Sequence, residues 1–405
     1  MGIVVAGAGY VGLATALGMA QKGHEVELVD TDSDRVEALH QGDLPFHEPS
    51  LAIALKDALS RGLRVHGAYP DRFKNPAFAF VCVNTDGTSN VLDTRSVESA
   101  VSSLARICPP ETALVVRSTV NPGTTAALNR WLRQCGLQHA VLSNPEFLRE
   151  GSALSDFAAP TRVVIGGEDP VLRARLAALY EFTGAPVLQT DPTSAELIKL
   201  AANAALAVRI SLANELADLA IAEGADVEAV LDAVGADPRI GRDYLTPGIG
   251  FGGYCLPKDL DALRSRPAPT AVLDATAIVN DRTVERLLRT VCSALSPGSR
   301  VAVIGAGFKP GSDSTRGSRS LVLIERLLAE GFCVTVCDPL AERNVRHAVG
   351  DAVSYGSSPR DVATGCDGVV LAHPLPPDEV RTLVRLTPHV WDDLGRRWHG
   401  EATGK

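Results

Sequence analysis

The sequence predicts an α/β protein with two doubly wound domains, joined by a long central helix and a helical middle domain. Two observations support the doubly wound ends: a short apolar run followed by a Gly-x-Gly turn occurs at Gly2–Ala6 and again at Val301–Ile304. The third observation is the stretch Ser194–Ala222, which is rich in Ala, Leu, Ile and Glu and has no glycine or proline. Alternating strands and helices form parallel sheets of the Rossmann type. We therefore expect domains at 1–192, 193–295 and 296–405.

Composition and charge argue against several classes of partner. The chain of 405 residues is 45% hydrophobic and 21% charged, with a net charge of −9. This acidity disfavours nucleic acid and anionic membranes, and no apolar run is long enough to span a bilayer. The eight cysteines contain no CxxC pair, which disfavours a zinc site. We expect a cytoplasmic protein with no metal and no nucleic-acid or membrane partner.

The first strand leads into a pattern typical of dinucleotide binding. The pattern Gly-x-Gly-x-x-Gly comprises Gly7, Gly9 and Gly12. Its glycines allow a tight turn, a close approach of the pyrophosphate and close packing of helix on strand. The next strand, Val26–Val29, ends at Asp30, which is placed to accept a ribose 2′-hydroxyl and so favours NAD. Arg35 leaves NADP open as an alternative.

Polar clusters follow three further predicted strands, Phe78–Val83, Ala113–Arg117 and Val141–Ser143. The clusters are Asn84-Thr85-Asp86, Ser118-Thr119 and Asn144-Pro145-Glu146. Each cluster alone is more often a helix cap or a turn than part of a site. Ligands of doubly wound sheets bind beyond the carboxyl ends of the strands, so together the clusters predict the rim of an active site.

The middle of the chain contains a candidate nucleophile. The stretch Gly248–Asp259, here called the cysteine loop, places four glycines before Cys255 and a Pro-Lys-Asp run after Leu256. Glycines permit close approach to a ligand, and nearby cations favour the reactive thiolate; the alternative is a buried structural cysteine. On the predicted long helix, Lys199 and Asn203 are four residues apart and share one face. Their neighbours are apolar, so both side chains need polar partners.

The third domain departs from the first where a cofactor would bind. Phe308-Lys309-Pro310 follows the second Gly-x-Gly turn, and Pro310 has no N–H to offer a phosphate. Lys309 and Arg316 suit a different phosphorylated ligand. The tail after Arg397 is expected to be disordered.

These stretches resemble the UDP-glucose/GDP-mannose dehydrogenase family from Gly2 to about Asp393. The motifs that carry the resemblance are Gly7–Leu13, Pro45 with Glu48–Leu51, Ser143–Gly151, the pair Lys199 and Asn203, the cysteine loop, and Phe308-Lys309-Pro310. The chain departs from the family at Asn84-Thr85-Asp86, where Pro-Thr-Pro is usual, and at Arg319, where proline is usual.

The resemblance implies an NAD-dependent, four-electron oxidation of a sugar C6 alcohol to the carboxylate, in a homodimer formed by the central helix. It assigns 1–192 to NAD, 193–295 to dimerisation and the cysteine loop, and 296–405 to the nucleotide sugar. Cys255 would be the nucleophile, and Asp259 with Lys199 would manage the alcohol proton. Lys199 and Asn203 would stabilise the oxyanion. Glu146 would act as the base of hydrolysis, with Thr119 positioning water.

The resemblance also implies two sets of binding residues. The cofactor set comprises Gly7, Gly9, Tyr10, Val11, Gly12, Asp30, Arg35, Thr85, Thr119, Glu150, Lys258 and Arg316. The substrate set comprises Glu146, Phe147, Leu148, Lys199, Asn203, Arg239, Tyr244, Gly252 and Lys309, with Arg239 reaching into the partner subunit. UDP-glucose is the favoured substrate. GDP-mannose, a UDP-N-acetylhexosamine, or binding without catalysis are the alternatives.

Overall fold

A computed structural model describes residues 1–87 and 92–398. The chain forms two compact units, Met1–Ala202 and Asn203–Lys405. The predicted disordered tail, apart from Trp398, lies outside the described residues. Within the described part of the chain, no helix combines the length and the apolarity that crossing a membrane requires.

The first unit is built on a sheet of eight strands in the order β3-β2-β1-β4-β5-β6-β7-β8. The strands are β1 (Gly2–Ala6), β2 (Glu25–Val29), β3 (Arg64–His66), β4 (Phe78–Val81), β5 (Ala113–Val116), β6 (Val141–Ser143), β7 (Val163–Gly166) and β8 (Val187–Thr190). The first six follow the order typical of dinucleotide-binding sheets. All neighbours are parallel except β6 and β7.

Helices cover both faces of this sheet, as its apolar strands require. The helices are α1 (Tyr10–Gln21), α2 (Ser33–Gln41), α3 (Pro49–Ser60), α4 (Arg95–Ile107), α5 (Thr124–Gln134), α6 (Ala153–Ala158) and α7 (Pro170–Ala178). Ile3 and Val5 of β1 belong to one apolar core, and Val4 and Ala6 belong to another. Successive strand residues point to opposite faces, so β1 is buried on both sides.

The long helix α8 (Pro192–Glu223) begins in the first unit and continues into the second. The second unit adds the helices α9 (Val227–Gly235), α10 (Cys255–Arg264), α11 (Ala271–Ala294), α12 (Arg319–Ala329), α13 (Glu342–Val349), α14 (Pro359–Ala363) and α15 (Pro377–Leu386). Its strands are β9 (Arg300–Ile304), β10 (Cys333–Cys337), β11 (Ser354–Tyr355), β12 (Gly368–Leu371) and β13 (Val390–Trp391). They form a parallel sheet in the order β11-β10-β9-β12-β13.

The predicted α/β class, with two doubly wound sheets and a long central helix, is confirmed. The sequence analysis did not predict β3, β7, β8, β11 or β13. Three of these are only two or three residues long, too short for a periodic signal. The predicted strands Phe78–Val83 and Ala113–Arg117 end earlier, at Val81 and Val116, where the chain turns into the polar rim.

Candidate active site

The glycine-rich turn of the first unit has the geometry that a dinucleotide needs. A Cβ at Gly12 would lie 1.8 Å from the Gly7 carbonyl oxygen, so no larger residue fits between helix and strand. A Cβ at Gly9 would meet no atom within 4 Å, which leaves open space above the N-terminus of α1. Tyr10 and Val11 are the first two residues of that helix. An open cradle at a helix N-terminus fits a pyrophosphate.

Asp30 is buried and already holds the turn in place. Its Oδ2 accepts a hydrogen bond from the Ala8 amide at 2.6 Å, and its Oδ1 accepts one from the Asp32 amide at 2.9 Å. Arg35 Nη1 lies 2.9 Å from Asp30 Oδ2 and Arg35 Nη2 lies 3.3 Å from Asp32. Asp30, which is predicted to favour NAD, and Arg35, which leaves NADP open, therefore form an ion pair with each other.

The polar rim brings Thr85 and Thr119 together. The Thr85 hydroxyl donates to the Thr119 carbonyl oxygen at 2.9 Å, and Thr85 is buried. Ser118, which directly precedes Thr119, donates to the Val83 carbonyl oxygen at 2.7 Å. The two chain segments that follow β4 and β5 are thus connected by side chains at the carboxyl end of the sheet.

Glu146 and Lys199 form a buried ion pair with 3.1 Å between Oε1 and Nζ. The Leu148 amide donates to the other carboxylate oxygen of Glu146 at 2.5 Å. The Phe147 ring contacts two cations: the Arg162 guanidinium lies 3.9 Å and the Lys199 ammonium 5.5 Å from its centroid. The polar partner that Lys199 needs is therefore Glu146, which lies after β6.

Asn203 follows Lys199 by one helical turn, in the second unit. Its amide donates to Asp259 Oδ2 at 2.6 Å, and Lys258 Nζ lies 2.8 Å from Asp259 Oδ1. Asp259 is 1% exposed. The Asn203 amide and the Lys258 ammonium group therefore flank the carboxyl group of Asp259, the predicted proton carrier, within the second unit.

Cys255 is exposed and is the first residue of α10. The partial positive charge at a helix N-terminus stabilises negative charge on such a side chain. Asp259 lies four residues later, one turn along the same helix. By contrast, burial raises the pKa of Cys82 and Cys108 to about 12 and that of Cys337 to about 11, so these three remain protonated thiols.

Polar side chains of α8 and α11 hold the backbone of the cysteine loop. Asn280 accepts a hydrogen bond from the Phe251 amide at 2.7 Å and donates to the Phe251 carbonyl oxygen at 3.0 Å. Asn214 accepts from the Gly248 amide at 3.0 Å. A Cβ at Gly250 would lie 2.5 Å from Asn280 Oδ1, so this close approach requires glycine.

Two further residues of α11 also form hydrogen bonds with the backbone of the cysteine loop. Thr283 donates to the Ile249 carbonyl oxygen at 2.5 Å, and Arg286 donates to the Gly248 carbonyl oxygen at 3.1 Å. The residues at 280, 283 and 286 recur every three positions and so share one face of the helix. The cysteine loop therefore lies along that face.

Two other predicted ligand-binding cations converge on one ring of the cysteine loop. The Arg316 guanidinium lies 3.8 Å and the Lys258 ammonium 5.0 Å from the Tyr254 centroid. A Cβ at Gly252 would lie 2.3 Å from the Gly317 carbonyl oxygen, so the Arg316 segment packs directly on the loop. Lys309 lies 5.6 Å from the Phe308 ring centroid.

The other predicted substrate residues lie on an exposed turn after α9. Arg239 pairs with Asp237 and is largely exposed. Tyr244 is exposed and has φ +61°, a left-handed conformation that is unusual for a residue with a side chain. Arg209 holds this turn with three hydrogen bonds to carbonyl oxygens.

Glu150, a predicted cofactor residue, lies in the first unit. It is half-buried in the turn before α6.

Sequence reasoning missed the residues that hold these segments. The sequence marks Glu48 only as part of a motif, and the structure gives it contacts with Tyr10 and Gly151. Asn280 had no signal, because an asparagine in an amphipathic helix is usually a surface residue. Burial of Asn280 is a consequence of the loop that packs on it.

Family models match three consecutive parts of the chain. They describe the NAD binding domain (residues 1–183), the central domain (193–282) and the UDP binding domain (302–386) of the UDP-glucose/GDP-mannose dehydrogenase family. The chain belongs to this family. Its cofactor is therefore NAD, as predicted from Asp30 and the glycine-rich turn, and its activity is that of a nucleotide-sugar dehydrogenase.

Individual relatives cover nearly the whole chain. The UDP-glucose 6-dehydrogenase AglM of Haloferax volcanii is 36% identical over 92% of this chain and 91% of its own length. The UDP-glucose 6-dehydrogenase YwqF of Bacillus subtilis is 33% identical over 92% of this chain and 87% of its own length.

Two solved structures share the fold over nearly the full length of the chain. The structure of a UDP-glucose dehydrogenase from Pyrobaculum islandicum matches with a TM-score of 0.90 and 36% identity, over 98% of this chain and 94% of that one. The structure of a UDP-D-ManNAc dehydrogenase from Pyrococcus horikoshii matches with a TM-score of 0.85 and 28% identity, over 100% of this chain and 97% of that one.

Proposed function

We propose that this protein is a UDP-glucose 6-dehydrogenase that oxidises the C6 alcohol of UDP-glucose to the carboxylate of UDP-glucuronate. The observation that carries the four-electron reaction is Cys255, exposed at the start of α10 with Asp259 one turn away. An alcohol dehydrogenase that stops at the aldehyde needs no nucleophile. UDP-glucose is favoured over other sugars because the relatives named for it have 33–36% identity, above the 28% of the UDP-D-ManNAc enzyme.

The first oxidation removes a proton and a hydride from the C6 alcohol. NAD, when bound, accepts one hydride in each of the two oxidation steps. Asp259 takes the hydroxyl proton, directly or through water, and Lys199 stabilises the developing alkoxide. Lys258 and Asn203 hold the Asp259 carboxylate, so its orientation is fixed before the substrate arrives.

The aldehyde is then trapped on the protein. The Cys255 thiolate adds to the aldehyde carbon and gives a thiohemiacetal oxyanion, which Lys199 and the Asn203 amide stabilise. Loss of the second hydride from this carbon leaves a thioester on Cys255. Covalent attachment explains how an enzyme of this kind passes the aldehyde stage without releasing it.

Hydrolysis completes the cycle. Water adds to the thioester carbonyl while Glu146 takes a proton from it, and the Cys255 thiolate leaves as the carboxylate forms. Thr119 helps to position the water. The ion pair with Lys199 orients the Glu146 carboxylate.

We further propose a homodimer formed through α8, with Arg239 acting in the partner's substrate site. In the second unit, one face of α8 presents Ala205, Leu212 and Leu219, which are exposed. Exposed leucines at a spacing of seven residues form an apolar stripe suited to a second copy of the helix. The cytoplasm remains our prediction for the compartment.

The test is a panel of nucleotide sugars assayed for NADH formation and for product. With UDP-glucose we expect two NADH per sugar oxidised, UDP-glucuronate as the product and no free aldehyde. UDP-N-acetylmannosamine and GDP-mannose should be poor substrates. One NADH per sugar with released aldehyde would refute the four-electron reaction, whereas faster turnover of another sugar would refute only the substrate assignment.

A further inference from the structure

Glu48 is a buried carboxylate at a point where three chain segments meet. It is 2% exposed and directly precedes α3. Its oxygens accept hydrogen bonds from the Tyr10 hydroxyl at 3.1 Å, the Ser50 hydroxyl at 3.0 Å and the Gly151 amide at 2.6 Å. A carboxylate buried this deeply is stable only when several donors compensate for lost hydration.

Glu48 connects the starts of two helices through side chains. It is the residue directly before α3 but does not cap that helix through its carboxylate. The carboxylate instead contacts the phenol hydroxyl of Tyr10, the first residue of α1. Two helices separated along the sequence are therefore linked by the contact between Glu48 and Tyr10.

Tyr10 extends this link to the turn that carries Glu150. The single proton of the Tyr10 hydroxyl is shared between Glu48 and the Arg149 carbonyl oxygen, which lies 2.6 Å from the hydroxyl. That carbonyl oxygen also accepts a hydrogen bond from the Ser152 amide at 3.0 Å. Burial raises the pKa of Tyr10, and the Glu48 and Glu150 carboxylates raise it further, so the hydroxyl remains a donor. Tyr10 thus contacts the Arg149–Gly151 turn at its first residue, and Glu48 contacts it at its last.

We propose that Glu48 is a positioning residue of the NAD site, which fixes the Arg149–Gly151 turn, and with it Glu150, against the start of α1. The glycine-rich turn receives the cofactor at that same helix end. This role concerns NAD and does not depend on which sugar the enzyme oxidises. Glu48 acts through Tyr10 and Gly151 and needs no contact with the cofactor.

The test compares NADH binding with UDP binding in the full-length protein. For Glu48→Ala we expect an NADH dissociation constant about tenfold higher, the effect of losing one charge-assisted hydrogen bond, and an unchanged dissociation constant for UDP. Glu48→Gln retains an acceptor for Gly151 and should fall between parent and Ala variant. NADH fluorescence measures the first constant and calorimetry the second.

Two further variants keep the test decisive. Tyr10→Phe removes the hydroxyl but keeps the ring against Phe46, and it should weaken NADH binding even if Glu48→Ala does not fold. Ser50→Ala removes another donor to the same carboxylate without touching the turn, and should bind NADH within twofold of the parent. Unchanged NADH binding in folded Glu48 and Tyr10 variants, or an equal loss of UDP binding, would overturn the proposal.

Discussion

At the scale of the residue, burial separates three cysteines, Cys82, Cys108 and Cys337, from Cys255. Burial holds Cys82, Cys108 and Cys337 as protonated thiols. Cys255 is exposed at a helix N-terminus, where a thiolate is favoured. The two proposed jobs of this sulfur, attack on the aldehyde and transfer of the acyl group, can be separated by substitution.

Cys255→Ser should lose steady turnover by about a thousandfold or more, because a serine hydroxyl is a weak nucleophile without an activating base. It should slowly accumulate an oxygen ester at position 255, because such esters hydrolyse more slowly than thioesters. Cys255→Ala should form no adduct. Intact-protein mass spectrometry after incubation with UDP-glucose and NAD measures both; near-parental turnover of Cys255→Ala would show that another group is the nucleophile.

Asp30 gives a second prediction for a single residue. In Asp30→Ala the ribose loses its acceptor and Arg35 loses one of its two ion-pair partners, keeping Asp32, which leaves a cation near the position of a 2′-phosphate. We expect the preference for NAD over NADP to fall about tenfold or more, the usual effect of one charged hydrogen bond. The ratio of kcat/KM for the two cofactors measures it. Asp30→Ala with Arg35→Ala is the control, and should bind both cofactors weakly.

At the scale of the element, the cysteine loop depends on the face of α11 that holds it. Asn280→Ala removes both hydrogen bonds to Phe251 and leaves a buried amide and carbonyl without that partner. We expect a loss of about 1–3 kcal/mol in the free energy of unfolding, together with slower alkylation of Cys255 by iodoacetamide. Ser293→Ala, at an exposed position of the same helix, is the control and should change neither quantity.

Asp393, beside the start of the cysteine loop, should make the stability of the protein depend on pH. A Cβ at Gly248 would lie 2.4 Å from Asp393 Oδ2, so this carboxyl packs on the start of the loop. Burial and Asp392 raise the pKa of Asp393 to about 7, although Arg396 and Arg286 oppose the shift. Between about pH 4 and pH 7 the folded state therefore holds a proton that the unfolded state has lost, and stability falls as pH rises through this range.

Asp393→Asn should remove that decline. We expect the variant and the parent to have similar melting temperatures near pH 4, and the variant to be the more stable one near pH 8. Thermal unfolding followed by circular dichroism across this range measures the difference. A constant difference between the two proteins at every pH would mean that Asp393 does not titrate in this interval.

These elements also mark what the sequence could and could not predict. The turn at Gly7, the acid at Asp30 and the helix α8 follow from periodicity and motif spacing, because their signals are local. The contact between Glu48 and Gly151 joins residues 103 positions apart, and no spacing rule encodes it. The antiparallel strand β7 was missed for a similar reason, since its direction is set by pairing with β6.

At the scale of the whole molecule, α8 exposes large apolar side chains to solvent. Leu212 and Leu219 of α8 are 46% and 58% exposed, and the cost of exposing such side chains rises with the area in water. Polar residues on the buried side of this helix already have partners within the chain, as Asn203 and Asn214 show. The exposed stripe is therefore the part of α8 that we propose contacts a second copy of the chain.

The parent protein should sediment as a dimer, and Leu212→Glu should shift it to monomer, because two carboxylates would face each other across a two-fold axis. Ile53→Glu, at a residue 75% exposed on α3, is the matched control and should remain a dimer. If Arg239 acts in the partner's site, the Leu212→Glu monomer should lose most of its activity while still binding NADH. A fully active monomer on dilution would refute both the α8 interface and the role of Arg239.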